Sequence, residues 1–373
     1  MRHLLFVFIL LAFSNALTAQ VSVRTDTSDA HVKSAVTFLI NYLTEFVREK
    51  KADYKKYWRV EQTKNRWPPD DMVYAITTDG PTYNFSKTPL VYYAKRMNDF
   101  IHIKTIFPYV DSNQVKELWA ITNHYVFTDK DGAHYLKSEM EVHQERYATT
   151  KVGNINYHYP KTHSFNAKKA EQLAKRLSTI ENEWGFPQIP VEYYFADSRP
   201  ELDRMRGFDY CWGMEDPEPN GISFEESGTV FCQGLGEDYL HEVLHLYFNP
   251  RYAETSPLCH SLVYYLGGSL GRDFNWFVSR MNEYLKTYPK TDLSNFESIE
   301  TKDKFLHIDN IVKGFICKLI YEKDGVKGLK RIMEYKAMDE VFLKEFSVKR
   351  SGVNKLLKTL IAKATTAPVL KTK

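Results

Sequence analysis

The sequence has few cysteines, little charge imbalance and no long apolar run, and each shortage removes a class of protein. Of 373 residues only four are cysteine, namely Cys211, Cys232, Cys259 and Cys317. None stands in a CxxC pair, which excludes a zinc knuckle and a thioredoxin-like redox site. Four cysteines allow three pairings; Cys211 and Cys232, which flank one stretch of chain, form the expected bridge, with buried free thiols the equal alternative. Lys plus Arg number 50 against 47 for Asp plus Glu. That balance excludes a general nucleic-acid binder and a polybasic membrane-surface protein. The one unbroken apolar run, Leu4 to Phe13, is half the length of about twenty residues that a bilayer span needs. Nothing later reaches that length, so no membrane span is expected. No internal repeat or low-complexity block occurs.

The apolar run has another reading. Met1-Arg2-His3 before it and the small residues of Ser14 to Ala19 after it describe a secretory signal peptide over residues 1–19, cut after Ala19. The mature protein is expected in the periplasm or secreted. Its length gives a prior of about two domains, and such a chain buries a core without disulfide staples. Aromatic residues are plentiful at 14%, with 25 Tyr, 23 Phe and 6 Trp. Most are expected in the core and on half-buried sheet faces, the sharper alternative being a surface for sugars or peptides.

Periodicity divides the mature chain in two, and the fold class expected is α+β. Residues 20–148 read as a small N-terminal α+β module. In it Val32, Ala35, Val36, Leu39 and Leu43 recur at helical spacing, and Asp99 to Ile106 and Tyr125 to Thr128 alternate as strands. Asp131-Gly132 marks a hairpin turn. Asp129 to Gly132 also resembles the start of a calcium loop, but the sixth position is not Gly and the twelfth is Met140, so the turn is preferred. Asn84-Phe85-Ser86 matches a glycosylation sequon of little weight. No cluster of chemical groups stands out in this module. From residue 149 to 363 a strand at 154–159, a helix capped by Asn166 and closed by Gly185, and a strand at 191–195 imply parallel neighbours. A Gly/Pro/Asp-rich loop follows over 207–221, then an edge strand at 227–231, then helices. Residues 364–373 are expected as a flexible tail.

The chemistry concentrates in Leu240-His241-Glu242-Val243-Leu244-His245-Leu246, which contains HExxH. On a helix, His241 and His245 share a face one turn apart and can meet one Zn²⁺. Glu242 beside them can act as general base toward a metal-activated water. The flanking Leu240, Val243, Leu244 and Phe248 would bury the helix, and Asn249-Pro250 would end it. Glu237 and Asp238 could orient the imidazoles or simply place negative charge in the first helical turn.

Residues of about 151–335 resemble the gluzincin metallopeptidases, in particular the peptidase MA-like group. Besides HExxH, the likeness rests on Leu262-Val263-Tyr264-Tyr265-Leu266-Gly267-Gly268, similar to the group's Leu-x-x-Tyr-x-Gly-Gly. It rests further on the stretch from Gly314 to Gly325. The resemblance implies a zincin-like domain whose third zinc ligand is a Glu on the next helix. Here His260 and Ser261 stand where the group has Glu-Gly. Three possibilities stay open: His241, His245 and His260; the same pair with Glu254; or a drifted site that binds metal weakly or not at all. The strand at 228–231, with Gly228, Thr229 and Val230, is the expected substrate-binding edge, and Tyr264, Tyr265 and His307 are candidate oxyanion donors. The partner expected is a peptide or protein substrate, and the cofactor Zn²⁺. An inactive zincin-like binder, or a binding protein acting through its N-terminal module, are the other readings.

Overall fold

The computed structural model describes residues 21–49, 53–59, 89–110 and 116–366. The expected signal peptide, the Asn84 sequon and the last seven residues lie outside these. The fold is mixed α+β with a helical C-terminal half. No helix among the described residues is long and apolar enough to cross a membrane.

The chain begins with β1 (Ser22–Val23) and α1 (Ala30–Glu49). Asp29 starts α1 by accepting the His31 N–H at 2.7 Å, satisfying one of the free donors at the helix N-terminus. Its buried residues Val32, Ala35, Val36, Leu39 and Leu43 form one stripe. That stripe packs on β2 (Leu90–Arg96) and β3 (Phe100–Val110), where Val91, Ile101 and Ile103 are buried in the same core. With β4 (Lys116–Thr128) and β5 (His134–Lys137) these strands make a sheet in the order β1-β2-β3-β4-β5. The β4–β5 turn is held by Asp129, whose Oδ1 accepts from the N–H groups of Asp131 at 3.0 Å and Ala133 at 2.9 Å. Gly132 supplies its positive φ of 84°. A short helix α2 (Glu139–Val142) follows, opened by a capping box between Ser138 and Glu141.

The next strands are β6 (Tyr147–Val152) and β7 (Ile155–Pro160). Helix α3 (Ala167–Trp184) is capped by Asn166 and closed by Gly185 at φ 70°, as its sequence implied. After β8 (Val191–Ala196) come α4 (Arg199–Met205), β9 (Phe208–Cys211), β10 (Asn220–Phe224) and β11 (Thr229–Gln233). The second sheet runs β10-β11-β8-β7-β6. The Val191 N–H bonds the Asn154 carbonyl at 2.9 Å, setting the starts of β7 and β8 side by side as a parallel pair requires.

Two expectations need correcting. The stretch 207–221 is not a plain loop: β9 lies within it and pairs antiparallel with β4 of the first sheet. The strand expected at the edge, here β11, is interior, with β10 on one side and β8 on the other. The described residues form two compact units. One comprises residues up to Thr149 with 158–164 and 196–218, and the other comprises 150–157, 165–195 and 219 onward. A single boundary near 148 therefore misses two returns of the chain, the second of them carrying β9.

The helical half contains α5 (Leu240–Tyr252), α6 (Cys259–Gly267), α7 (Phe274–Thr287), α8 (Ile308–Met333), α9 (Met338–Phe346) and α10 (Arg350–Thr366). Helix α6 packs against both α5 and α8. At Gly314 of α8 an added Cβ would lie 2.6 Å from the Phe274 ring and 3.1 Å from the Ser261 carbonyl, so only glycine lets these helices approach so closely. Helix α5 runs past Asn249 with Pro250 inside its last turn, where the ring removes the N–H that would bond the Leu246 carbonyl. Helix α10 carries residues 364–366, which were expected in the tail. All four cysteines are free thiols, Cys211 and Cys232 included.

Acid stability follows from His124, fully buried in the first unit, where its Nε2 lies 2.8 Å from the Thr122 hydroxyl. Burial pushes its imidazole from 6.5 down to about 3. Between those values the unfolded chain binds the proton and the folded one does not. Stability is therefore expected to fall as pH drops from about 6.5 toward 3, with no effect above that window. His124→Gln should flatten this acid limb in thermal unfolding measured across pH. An unchanged limb would contradict the assignment.

Candidate metal centre

Every residue of α5 from Leu240 to Phe248 is buried, so the HExxH helix runs through the interior of the second unit. The two imidazoles meet there with Nε2 atoms 3.2 Å apart. Their outer nitrogens decide what that contact is. His241 Nδ1 lies 2.5 Å from the Gly268 carbonyl oxygen, which only accepts, so Nδ1 carries the proton. His245 Nδ1 lies 3.0 Å from Asn249 Oδ1. The Asn249 amide donates its N–H to Glu225, which fixes its oxygen toward His245, so that Nδ1 is protonated as well. Burial holds both rings neutral, pushing His241 down to about 3 and lowering His245. Two lone pairs thus face each other with no proton between them. That is repulsive, and a cation relieves it.

The spacing fits zinc. Two nitrogens at 2.0–2.1 Å from a tetrahedral ion stand roughly 3.3–3.4 Å apart, close to the 3.2 Å observed. Both His241 and His245 also donate their other N–H to an oxygen, the arrangement that orients metal-bound histidines. Sequence reasoning offered Glu237 and Asp238 either for this orienting role or as negative charge in the first helical turn. The structure gives them other work: Glu237 accepts the Asn166 N–H at 2.6 Å and Asp238 pairs with Lys169 at 3.4 Å.

The third position is less complete. The His260 ring lies 5.1 Å from that of His245, stacked at 25°, and 5.9 Å from that of His241. It is the one further ligand-type side chain brought to the pair from α6, yet as it stands the ring lies alongside His245 rather than facing the shared point. Among the described residues no group of three His, Cys, Asp or Glu side chains is placed to hold a metal ion. Glu254 is exposed in the turn after α5, lining a surface cleft with Glu225 and Asn249. No described contact joins it to either histidine.

Glu242 is buried, and burial raises its carboxyl to about 7, with Ser223 hydrogen-bonding to it and Glu225 adding repulsion. A base poised near neutral pH suits proton transfer. Ser223 belongs to β10, the true edge strand, which packs against α5. Its Gly221 is required: a Cβ there would stand 2.7 Å from Glu242 Cγ and 2.9 Å from the Tyr239 ring. Gly221→Val should displace Glu242 and cut any hydrolytic activity by about 10²-fold while metal content stays unchanged. Equal activity in the variant would show that this carboxylate is not in use.

The expected substrate residues Gly228, Thr229 and Val230 do not serve as an edge. Thr229 and Val230 are buried in interior β11, and Gly228 caps the preceding turn with φ 64°. The backbone edges of β11 are already spent on its neighbours, and the terminal strand packed against α5 is β10. Tyr264 is buried against Phe277, with its ring 6.1 Å from His241. Tyr265 packs on Phe274, and His307 stands at the start of α8. Tyr239, which sequence reasoning passed over, stacks on His241 at 15°.

The Gly267-Gly268 pair has a specific cause. A Cβ on Gly267 would sit 2.7 Å from His241 Cα, so α6 ends in contact with the start of α5. Gly268 adopts φ 70° and ψ −158°, a conformation reserved for glycine, and thereby presents its carbonyl to His241. Asn249 does the same for His245 through its side chain. Asn249→Leu is expected to weaken zinc binding by about 10–100-fold, measured by competition with a chromogenic chelator. An unaltered affinity would remove Asn249 from the site.

No protein-family model, curated protein or solved structure matches this chain.

Proposed function

We propose that the protein is an exported zinc-dependent peptidase of gluzincin-like character, acting on a peptide or protein substrate in the periplasm or medium. One observation carries this reading: two buried imidazoles set their Nε2 atoms 3.2 Å apart beside a buried carboxylate. His241 and His245 would hold the ion, with His260 completing the set after its ring turns toward them. A bound Zn²⁺ would supply Lewis-acid polarisation of the scissile carbonyl and acidify a water. Glu242 takes the proton from the attacking water and delivers it to the leaving amine. The free edge of β10 receives an extended peptide by strand addition, holding it beside Glu242. Tyr264 and Tyr239 wall the histidines and exclude bulk water.

The stacked position of His260 favours a second reading, an inactive zincin-like protein that binds a peptide or envelope partner. The test is chelation, dialysis against zinc, and assay on casein. The peptidase reading expects about one zinc per chain and zinc-dependent cleavage. A protein that stays metal-free after zinc dialysis would overturn it.

A further inference from the structure

The first unit holds a cavity of about 710 Å³ that the proposed peptidase chemistry does not use. One face of its sheet packs on α1; the other alternates Phe100, His102 and Lys104 on β3 with Asn123 and Tyr125 on β4. These line the cavity together with α2 and the returning segment that carries α4 and β9. The volume falls within the range of small-molecule sites, about 300–1,000 Å³.

Its polar groups are built in. Glu139 and Asn123 are more than nine-tenths buried. Glu139 accepts from the Tyr125 hydroxyl and, at 3.4 Å, from that of Tyr147, with Arg146 3.6 Å away. Asn123 donates its amide N–H to the Gly207 carbonyl and to Asp209. Its oxygen therefore accepts from His102 Nε2 at 2.8 Å, leaving His102 Nδ1 as an acceptor. His102 stacks on Tyr125 at 17°, and Phe100 meets the same ring edge-on.

The charge decides the ligand class. Lys104, Arg146, Lys161 and Arg204 bring four cations to the lining. Glu139, Glu145, Glu201 and Asp209 bring four carboxylates. Lys104 is paired with Asp209, and Arg146 with Glu139. A phosphate or acidic ligand would need cations in excess, and a cationic ligand would need spare carboxylates. An apolar ligand would take water from the charged side chains of the lining without replacing its hydrogen bonds. A neutral polyol satisfies all of these groups, since each hydroxyl both donates and accepts. Sugar rings also present C–H faces to flat side chains such as Phe100.

We propose that this cavity binds a short neutral oligosaccharide. The test titrates the full-length protein, by calorimetry, with N,N′,N″-triacetylchitotriose, maltotriose, cellotriose and mannotriose. Trigalacturonate and the chitosan trimer serve as charged counterparts. At least one neutral trisaccharide is expected to bind with a Kd of about 1 mM or tighter. Phe100→Ala and Lys104→Met should each weaken it by about tenfold or more while still unfolding cooperatively above the assay temperature, and E242Q should leave it intact. The proposal is overturned if no neutral trisaccharide saturates by about 10 mM. It is equally overturned if a charged counterpart binds at least as tightly, or if neither variant alters binding.

Discussion

Glu242→Gln is expected to lower peptide hydrolysis by about 10²–10⁴-fold while zinc content stays at about one ion per chain. The substitution keeps the shape of the side chain and its contact with Ser223 on β10. It removes only the capacity to take up a proton. Glu242 is not among the residues proposed to hold the ion, so metal retention and loss of turnover should separate cleanly. The readout is kcat/KM on a fluorogenic peptide alongside zinc by atomic absorption. A variant that retains full turnover would show that another group is the base; one that loses its zinc would make Glu242 a ligand.

His241→Ala should have the opposite signature. With one of two opposed Nε2 atoms gone, zinc is expected to fall below about a tenth of an ion per chain. Binding of a ligand to the folded state adds about 2.7 kcal/mol at a hundred times its Kd. The wild-type protein should therefore melt higher when zinc is added, and the variant should not. Removing His241 also leaves the Gly268 carbonyl without its N–H donor, so some loss of stability without metal is expected as well. The deciding quantity is the zinc-dependent rise in melting temperature. If the variant shows the same rise as the wild type, the ion binds elsewhere.

Much of this was legible in the sequence where the signal is local. Helix α1 announced itself by the spacing of Val32 to Leu43, α3 by Asn166 and Gly185, the β4–β5 turn by Asp131-Gly132, and the helix that pairs His241 with His245 by HExxH. What escaped depends on partners distant in the chain. Strand β10, Asn220 to Phe224, is too polar and too near glycine to stand out. Its neighbour β11 is buried throughout, which no local pattern distinguishes from an edge. The group that orients His241 is a backbone carbonyl, invisible to residue type, although the Gly267-Gly268 pair that positions it was in plain view. Asn249 read as the end of a helix and proved to orient His245. The cavity of the first unit had a faint signal in the alternation of Phe100, His102 and Lys104. Its other wall comes from residues 158–164 and 196–209, which no linear motif connects to β3.

The central claim is that His241 and His245 share one ion, joined by His260. X-ray absorption at the zinc edge of the zinc-dialysed protein tests it most directly. The account predicts three imidazole nitrogens at about 2.0–2.1 Å and one further light-atom ligand. A sulfur shell near 2.3 Å, or a spectrum of hydrated zinc without imidazole scattering, would contradict it.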